Sequence, residues 1–253
     1  MVPDSLWMKQ WEQSRKKLAP LSDLNAYFEQ SEVEGRQLEV MDIGPCSIPS
    51  GEILVRDPFV FLGNKSEEPY FLKAPAGTYQ TQVCVIKPED GDCARYAAVR
   101  LCFSEKKAVR FEEALIGNEE LEDLEEGQYF GFGVDAGLAA ICDKVVRDAY
   151  CDFLKTLKKD GKDIYIDCLD DLFKENYKKN PKFQRKGGDW LCWNVPGTEY
   201  YMPIFTSGFG DGAYPVYWGY NEDGEICQLI VHLIDIHYAY NGDEEEDEDE
   251  EEI

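Results

Sequence analysis

The chain has 253 residues, 51 acidic against 26 basic, for a net charge of −25, with 43% apolar and 13% aromatic side chains. That aromatic content excludes a wholly disordered acidic protein, and the negative charge argues against nucleic acid as a partner. No apolar run approaches the roughly 20 residues that cross a bilayer, so no membrane partner is expected.

The N-terminus lacks a basic stretch followed by an apolar core, so it does not read as a secretory leader. It reads as an amphipathic helix over 5–18, capped by Asp4 or Ser5, with Leu6, Trp7 and Trp11 on one face. Pro20 separates it from a second helix over 22–31. A cytoplasmic location is expected, and nine cysteines with no CxxC pair fit a reducing compartment as small buried residues.

After Gly35 the pattern turns to strands. Segments 38–43 and 52–57 are short, β-branched and bounded by Gly and Pro. Segments 78–86 and 94–103 alternate in polarity and flank the turn 88–92, with a third strand near 107–111. Residues 112–127 are strongly acidic around Leu121 and Leu124 and read as a surface helix or loop. A strand over 128–135 enters the turn Asp135-Ala136-Gly137, and a helix over 138–158 carries Leu138, Ile141, Val145, Ala149 and Phe153 at spacings of three and four. A further helix over 168–179 leads to a basic cluster, Lys178, Lys179, Lys182, Arg185 and Lys186.

The last third is rich in strands: 190–194, 200–205, 213–220 and 225–236, the last apolar on both faces and therefore central. Residues 243–252, ten acidic side chains in succession, read as a solvated tail or a lure for a basic partner. The expected fold class is α+β, a mostly antiparallel sheet or sandwich with helices packed on one side. The expected division is a helical segment over 1–35, one domain over 36–240 and a disordered tail over 241–253.

Two aspartate–glycine strings stand out. In Ser207-Gly208-Phe209-Gly210-Asp211-Gly212 three glycines bare backbone N–H groups that suit an anion, or place Asp211 at a pocket mouth; the plainer reading is a tight connection between strands. It is not a phosphate-binding P-loop, because no Gly-Lys-Ser/Thr follows. Asp135 and Asp143 can join Asp211 in a carboxylate cluster, or Asp135 can simply cap the following helix while Asp143 sits on a solvated helix position. His232 and His237 lie five apart, on opposite faces of a continuous strand, so they do not clasp one metal; no metal and no cofactor is expected. Tyr200, Tyr201, Tyr214, Tyr217, Trp218 and Tyr220 read either as an exposed aromatic binding strip or as core.

The strings GFGVDAG at 131–137 and SGFGDGAYPVYWG at 207–219, with GEICQLIVHLID after them, resemble a bacterial family known only as domain of unknown function number four-two-four-one. GEILVRDP at 51–58, GTYQTQVCV at 77–85 and AAVRLCF at 97–103 extend the resemblance over roughly residues 50–236. It implies a bacterial origin and no established activity. It marks Asp135, Gly208, Gly210, Asp211, Gly212, Tyr214 and Trp218 as candidate binding positions. The functional expectation is a non-enzymatic acidic binding protein that neutralises a basic protein partner such as a toxin. The alternative is a small hydrolase or ligand-binding enzyme using Asp135 and Asp211 at the glycine-rich loop.

Overall fold

The computed structural model describes residues 2–89 and 92–241; the acidic run at 243–252 lies outside the described residues. The fold is α+β and mostly antiparallel. Alternating segments build a seven-stranded sheet from β1 (Glu32–Val33), β2 (Arg36–Ile48), β4 (Gly77–Ile86), β5 (Arg95–Cys102), β6 (Arg110–Glu113), β12 (Val216–Tyr220) and β13 (Ile226–His232). Its spatial order is β1-β2-β4-β5-β13-β12-β6. Strand β13 is central, as its two apolar faces require.

A second sheet packs against the first. It contains β3 (Ile53–Arg56), β8 (Leu138–Asp143), β9 (Trp190–Asn194) and β10 (Tyr201–Thr206), in the order β3-β8-β10-β9. Ile43, Val83, Val99, Leu229 and Val231 of the first sheet meet Ile53, Val55, Ala139, Ile141 and Phe205 of the second in the main core. Strand β2 reaches both sheets because it bends at Gly44, where φ is +103° and a Cβ would lie 2.7 Å from Cys192. A two-stranded ribbon, β7 (Phe132–Val134) with β11 (Gly212–Tyr214), completes the strands.

Helices α3 (Lys144–Lys159) and α4 (Asp170–Lys179) cover the outer face of the four-stranded sheet. A π-helical turn at 165–169 leads into α4. The short α2 (Ala26–Glu29) and α5 (Ile236–Asn241) lie on the outer face of the seven-stranded sheet with Leu24, Tyr27 and Ile236 inward. Helix α1 (Ser5–Ser14) is capped by Asp4, whose carboxylate accepts from the Leu6 and Trp7 N–H groups. Trp7 and Trp11 bury against Leu115, Leu121 and Leu124, so the acidic segment 112–127 is the end of β6 followed by a loop that seats the N-terminal helix, with no helix of its own. Leu6, expected on the buried face, points to solvent.

The helix expected over 138–158 begins six residues late. Ala139 and Ile141 face the main core while Ala140 and Cys142 face α3, so residues 138–143 form a strand buried on both sides between β3 and β10. Apolar residues on both faces erase the period-two pattern, and the three-and-four spacing that continues into α3 imitates a helix. Asp143 is therefore not a solvated helix position. It is fully buried, and its Oδ1 caps α3 by accepting from the Val145 N–H at 2.8 Å. The same carboxylate accepts from the Ser50 N–H and hydroxyl.

Candidate functional site

The two aspartate–glycine turns meet. Gly212 pairs with Val134 across the β7–β11 ribbon, so Asp211 and Asp135 follow side by side at its open end, both exposed. The Ser207 N–H donates to the Gly137 carbonyl at 3.2 Å. What holds the first turn is Asp57, which closes β3 and is fully buried. Its Oδ1 accepts from the Phe59 and Val60 N–H groups, and its Oδ2 accepts from those of Asp135 and Ala136 at 3.0 and 2.7 Å. Asp135 thus contributes its backbone N–H to the turn, and the helix cap assigned to it belongs to Asp143. Asp57 was not a candidate site residue from its sequence; its position before Pro58 at a strand end was the available signal for a turn-forming carboxylate.

The glycine loop is closed from within. The Tyr214 hydroxyl lies 2.7 Å from both the Ser207 and Gly210 carbonyls, and the Ser207 hydroxyl donates to Gly210 at 2.8 Å. Gly208 has φ +56° and a Cβ there would sit 2.8 Å from the Leu233 carbonyl, so backbone approach explains this glycine. Gly208→Ala is expected to cost about 2 kcal/mol in urea unfolding, from left-handed strain and the clash together; a loss below about 0.5 kcal/mol would show that the loop moves aside freely. Phe209 lies exposed at the loop tip with the Arg95 guanidinium over its ring at 4.8 Å.

Trp218 does not reach this surface. Its indole is fully buried in the main core beside Tyr70 and Phe103. The aromatic strip divides accordingly: Tyr214, Tyr217, Trp218 and Tyr220 are buried, Tyr200 is half-buried and Tyr201 is exposed. Cys142 and His232 sit in different clusters on opposite sides of the main core. No cluster of three metal-ligating side chains occurs among the described residues.

Beside the glycine loop lies a cleft of about 600 Å³, to which Tyr214 contributes one wall. Four parts of the chain converge on it: Pro20–Leu21, Glu126–Tyr129, Ala213–Tyr217 and His232–Tyr238. Tyr129 and Tyr238 stand exposed at its rim, while Tyr217 and His232 are buried at its base. Two carboxylates, Glu126 and Asp235, line it, and none of the described lining residues is lysine or arginine. Asp235 accepts from the Ser22 hydroxyl at 2.6 Å, which fixes the N-terminal connector against the start of α5.

Burial dominates the electrostatics here. It pushes His232 down to about 4, against the opposing pull of Asp235, so the imidazole is neutral at pH 7. The His232 Nε2 lies 3.0 Å from the Tyr27 hydroxyl, which also accepts from the Ile236 N–H. Burial likewise raises the Tyr217 phenol, with Glu113, Tyr129 and Asp235 adding to the effect. Glu113, opposite Tyr217 on the edge strand, is pushed up to about 7 by burial although its Oε1 accepts from the Phe130 and Gly131 N–H groups. Those two bonds tie the chain that follows the 126–129 wall to the sheet. Of the cleft residues, Tyr214 was among the sequence candidates; His232, Asp235, Glu126, Tyr129 and Tyr238 come from segments that only the sheet order brings together.

No curated protein and no solved structure matches the chain. A family model does match it over residues 46–231, a span that contains both aspartate–glycine strings and the Ala213–Tyr217 and Glu126–Tyr129 walls of the cleft. The chain belongs to the family described as Protein of unknown function (DUF4241).

Proposed function

We propose that this protein is a non-catalytic binding protein for a basic protein partner and that the cleft beside the glycine loop receives one of that partner's cationic side chains. The observation that carries this reading is the lining: four tyrosines and two carboxylates, without a lysine or arginine among the described residues. Tyrosine faces attract a cation by about 0.5–2 kcal/mol each, depending on burial, and nearby carboxylates add to the attraction. The neutral His232 imidazole at the base does not oppose a cation. The net charge of −25 supports the same choice, because it speeds encounter with a positive surface. A basic toxin that must be held inactive in a bacterial cytoplasm fits this chemistry.

Titration with a tetra-arginine peptide tests the reading. Binding is expected to weaken about tenfold in the Glu126→Gln/Tyr129→Ala double variant, which removes one charge and one ring from exposed positions. Binding should also weaken as salt rises, since exposed charge pairs are screened beyond about 8 Å at 0.15 M. A peptide that binds the double variant as tightly as the unaltered protein would remove the cleft from consideration. A second reading, a hydrolase or ligand-binding enzyme, is favoured by one observation, the side-by-side placement of Asp135 and Asp211 at the ribbon end. It requires that an Asp135→Asn/Asp211→Asn variant lose ligand binding while the peptide titration stays unchanged.

A further inference from the structure

The end of α1 and strand β6 meet over a second cavity, of about 450 Å³, which shares no lining residue with the cleft although its Ala19 adjoins the cleft's Pro20. Arg15, Lys16 and Arg110 bring three cations to its lining, and Glu112 brings the single carboxylate; Ala19 and Phe111 supply the apolar remainder. An excess of two positive charges in one small cavity runs against the composition of a chain with twice as many acidic as basic residues.

The two guanidinium groups are held in place. Both engage the same oxygen, Glu112 Oε1, with Arg15 Nε at 2.8 Å and Arg110 Nη1 as the second partner. Arg15 lies 4.8 Å over the Trp11 ring and Arg110 lies 4.0 Å over the Tyr220 ring. Glu112 is 3% exposed, and its Oε2 has no hydrogen-bond partner. Tying α1 to β6 needs one arginine on that carboxylate. The second guanidinium and the Lys16 ammonium exceed what Glu112 neutralises. Loss of water, and after it the charge of Arg15, lower the Arg110 pKa, with Tyr220 opposing.

We propose that this cavity binds a phosphate monoester group, with Arg15 and Arg110 gripping its oxygens and Lys16 closing over it. A phosphate monoester carries about −1.5 to −2 at pH 7, which matches the excess of two positive charges better than a carboxylate does. Guanidinium groups stacked on rings present their remaining N–H edges in a fixed geometry suited to tetrahedral oxyanions. The chain's overall negative charge does not prevent this, because at physiological salt its distant charges are screened beyond about 8 Å.

Calorimetric titration of the full chain with inorganic phosphate and with phenyl phosphate, at constant ionic strength, tests the proposal. Phenyl phosphate is expected to bind, and Arg110→Gln is expected to weaken it at least tenfold while circular dichroism is unchanged; Arg110 is half-exposed, so its loss spares the fold. Equal binding of both probes identifies the phosphate itself as the ligand; tighter binding of phenyl phosphate identifies an organic ester that uses the apolar lining. No heat from either probe at 10 mM, on the order of a hundred times a typical small-ligand dissociation constant, overturns the proposal. So does binding that Arg110→Gln leaves unchanged. The tetra-arginine peptide reads the other cleft, so either result stands independently of that one.

Discussion

Replacing Asp57 with alanine is expected to destabilise the protein by about 4 kcal/mol, the largest single-site effect in the turn system, since hydrogen bonds to a charged acceptor contribute about 1.5–3 kcal/mol each and four N–H groups in part-buried bonds lose theirs without adding in full. For a chain of this size that corresponds to a fall of roughly 8–16 °C in the thermal midpoint. The reason lies in geometry. One fully buried carboxylate closes its own turn through Phe59 and Val60 and clamps a second turn through Asp135 and Ala136. Asp57→Asn keeps one acceptor oxygen but sets an NH₂ group against two of those donors, so about half the loss is expected. Hydrogen exchange adds a local readout: the Asp135 and Ala136 amides should exchange faster in Asp57→Asn than the global loss of stability accounts for. A midpoint within 2 °C of the unaltered protein in Asp57→Ala would mean that the turns are held by something else.

Stability between pH 4.5 and 6.5 is expected to be flatter than either Glu113 or His232 would make it alone, because their contributions run in opposite directions. Glu113 is pushed up from its ordinary 4.5 to about 7, so the native state holds this proton more tightly than the unfolded chain. Its contribution is full below pH 4.5 and is lost as pH rises towards 7. His232 is pushed down from 6.5 to about 4, so here the unfolded chain binds the proton first. Its contribution is full above pH 6.5 and is lost as pH falls towards 4. At about 1.4 kcal/mol per pH unit, each effect amounts to ~3 kcal/mol across its window. His232→Gln should therefore become less stable than the unaltered protein's profile predicts as pH rises from 4.5 to 7, exposing the Glu113 effect. Glu113→Gln should instead gain stability over the range 4 to 6.5, exposing the histidine. Urea unfolding at four pH values checks both, and three parallel profiles would show that neither group titrates with folding.

The local architecture was largely legible. Strands 78–86 and 94–103 alternate cleanly because one sheet face meets the main core and the other is wetter or packed on small helices, and the structure places β4 and β5 there. The central position of β13 followed from its two apolar faces. A cap at Asp4 or Ser5 and the buried face of Trp7 and Trp11 were readable from spacing within one or two turns, and the structure chooses Asp4. The failures share a cause. Residues 138–143 imitate a helix because burial on both sides removes the alternation that identifies a strand, so Asp143 was displaced from cap to helix interior. Trp218 read either as a surface aromatic or as core because adjacent strands, not its neighbours in sequence, decide that it is covered.

The candidate site divides in the same way. By itself the amino-acid sequence determined the excess of negative charge, the glycine turns and the strands that flank them, because backbone preference and hydrophobic period act over a few residues. Only the tertiary structure decided which carboxylates are taken up by the fold and which line a cleft: Asp57 and Asp143 disappear into hydrogen bonds, Glu126 lines the cleft, and Asp235 does both, accepting from Ser22 and from the His237 and Tyr238 N–H groups. It also decided that arginines nearly a hundred residues apart share one oxygen of Glu112. Burial and convergence depend on the order in which β5, β13, β12 and β6 pair, and that order joins segments far apart along the chain, beyond the reach of any local rule.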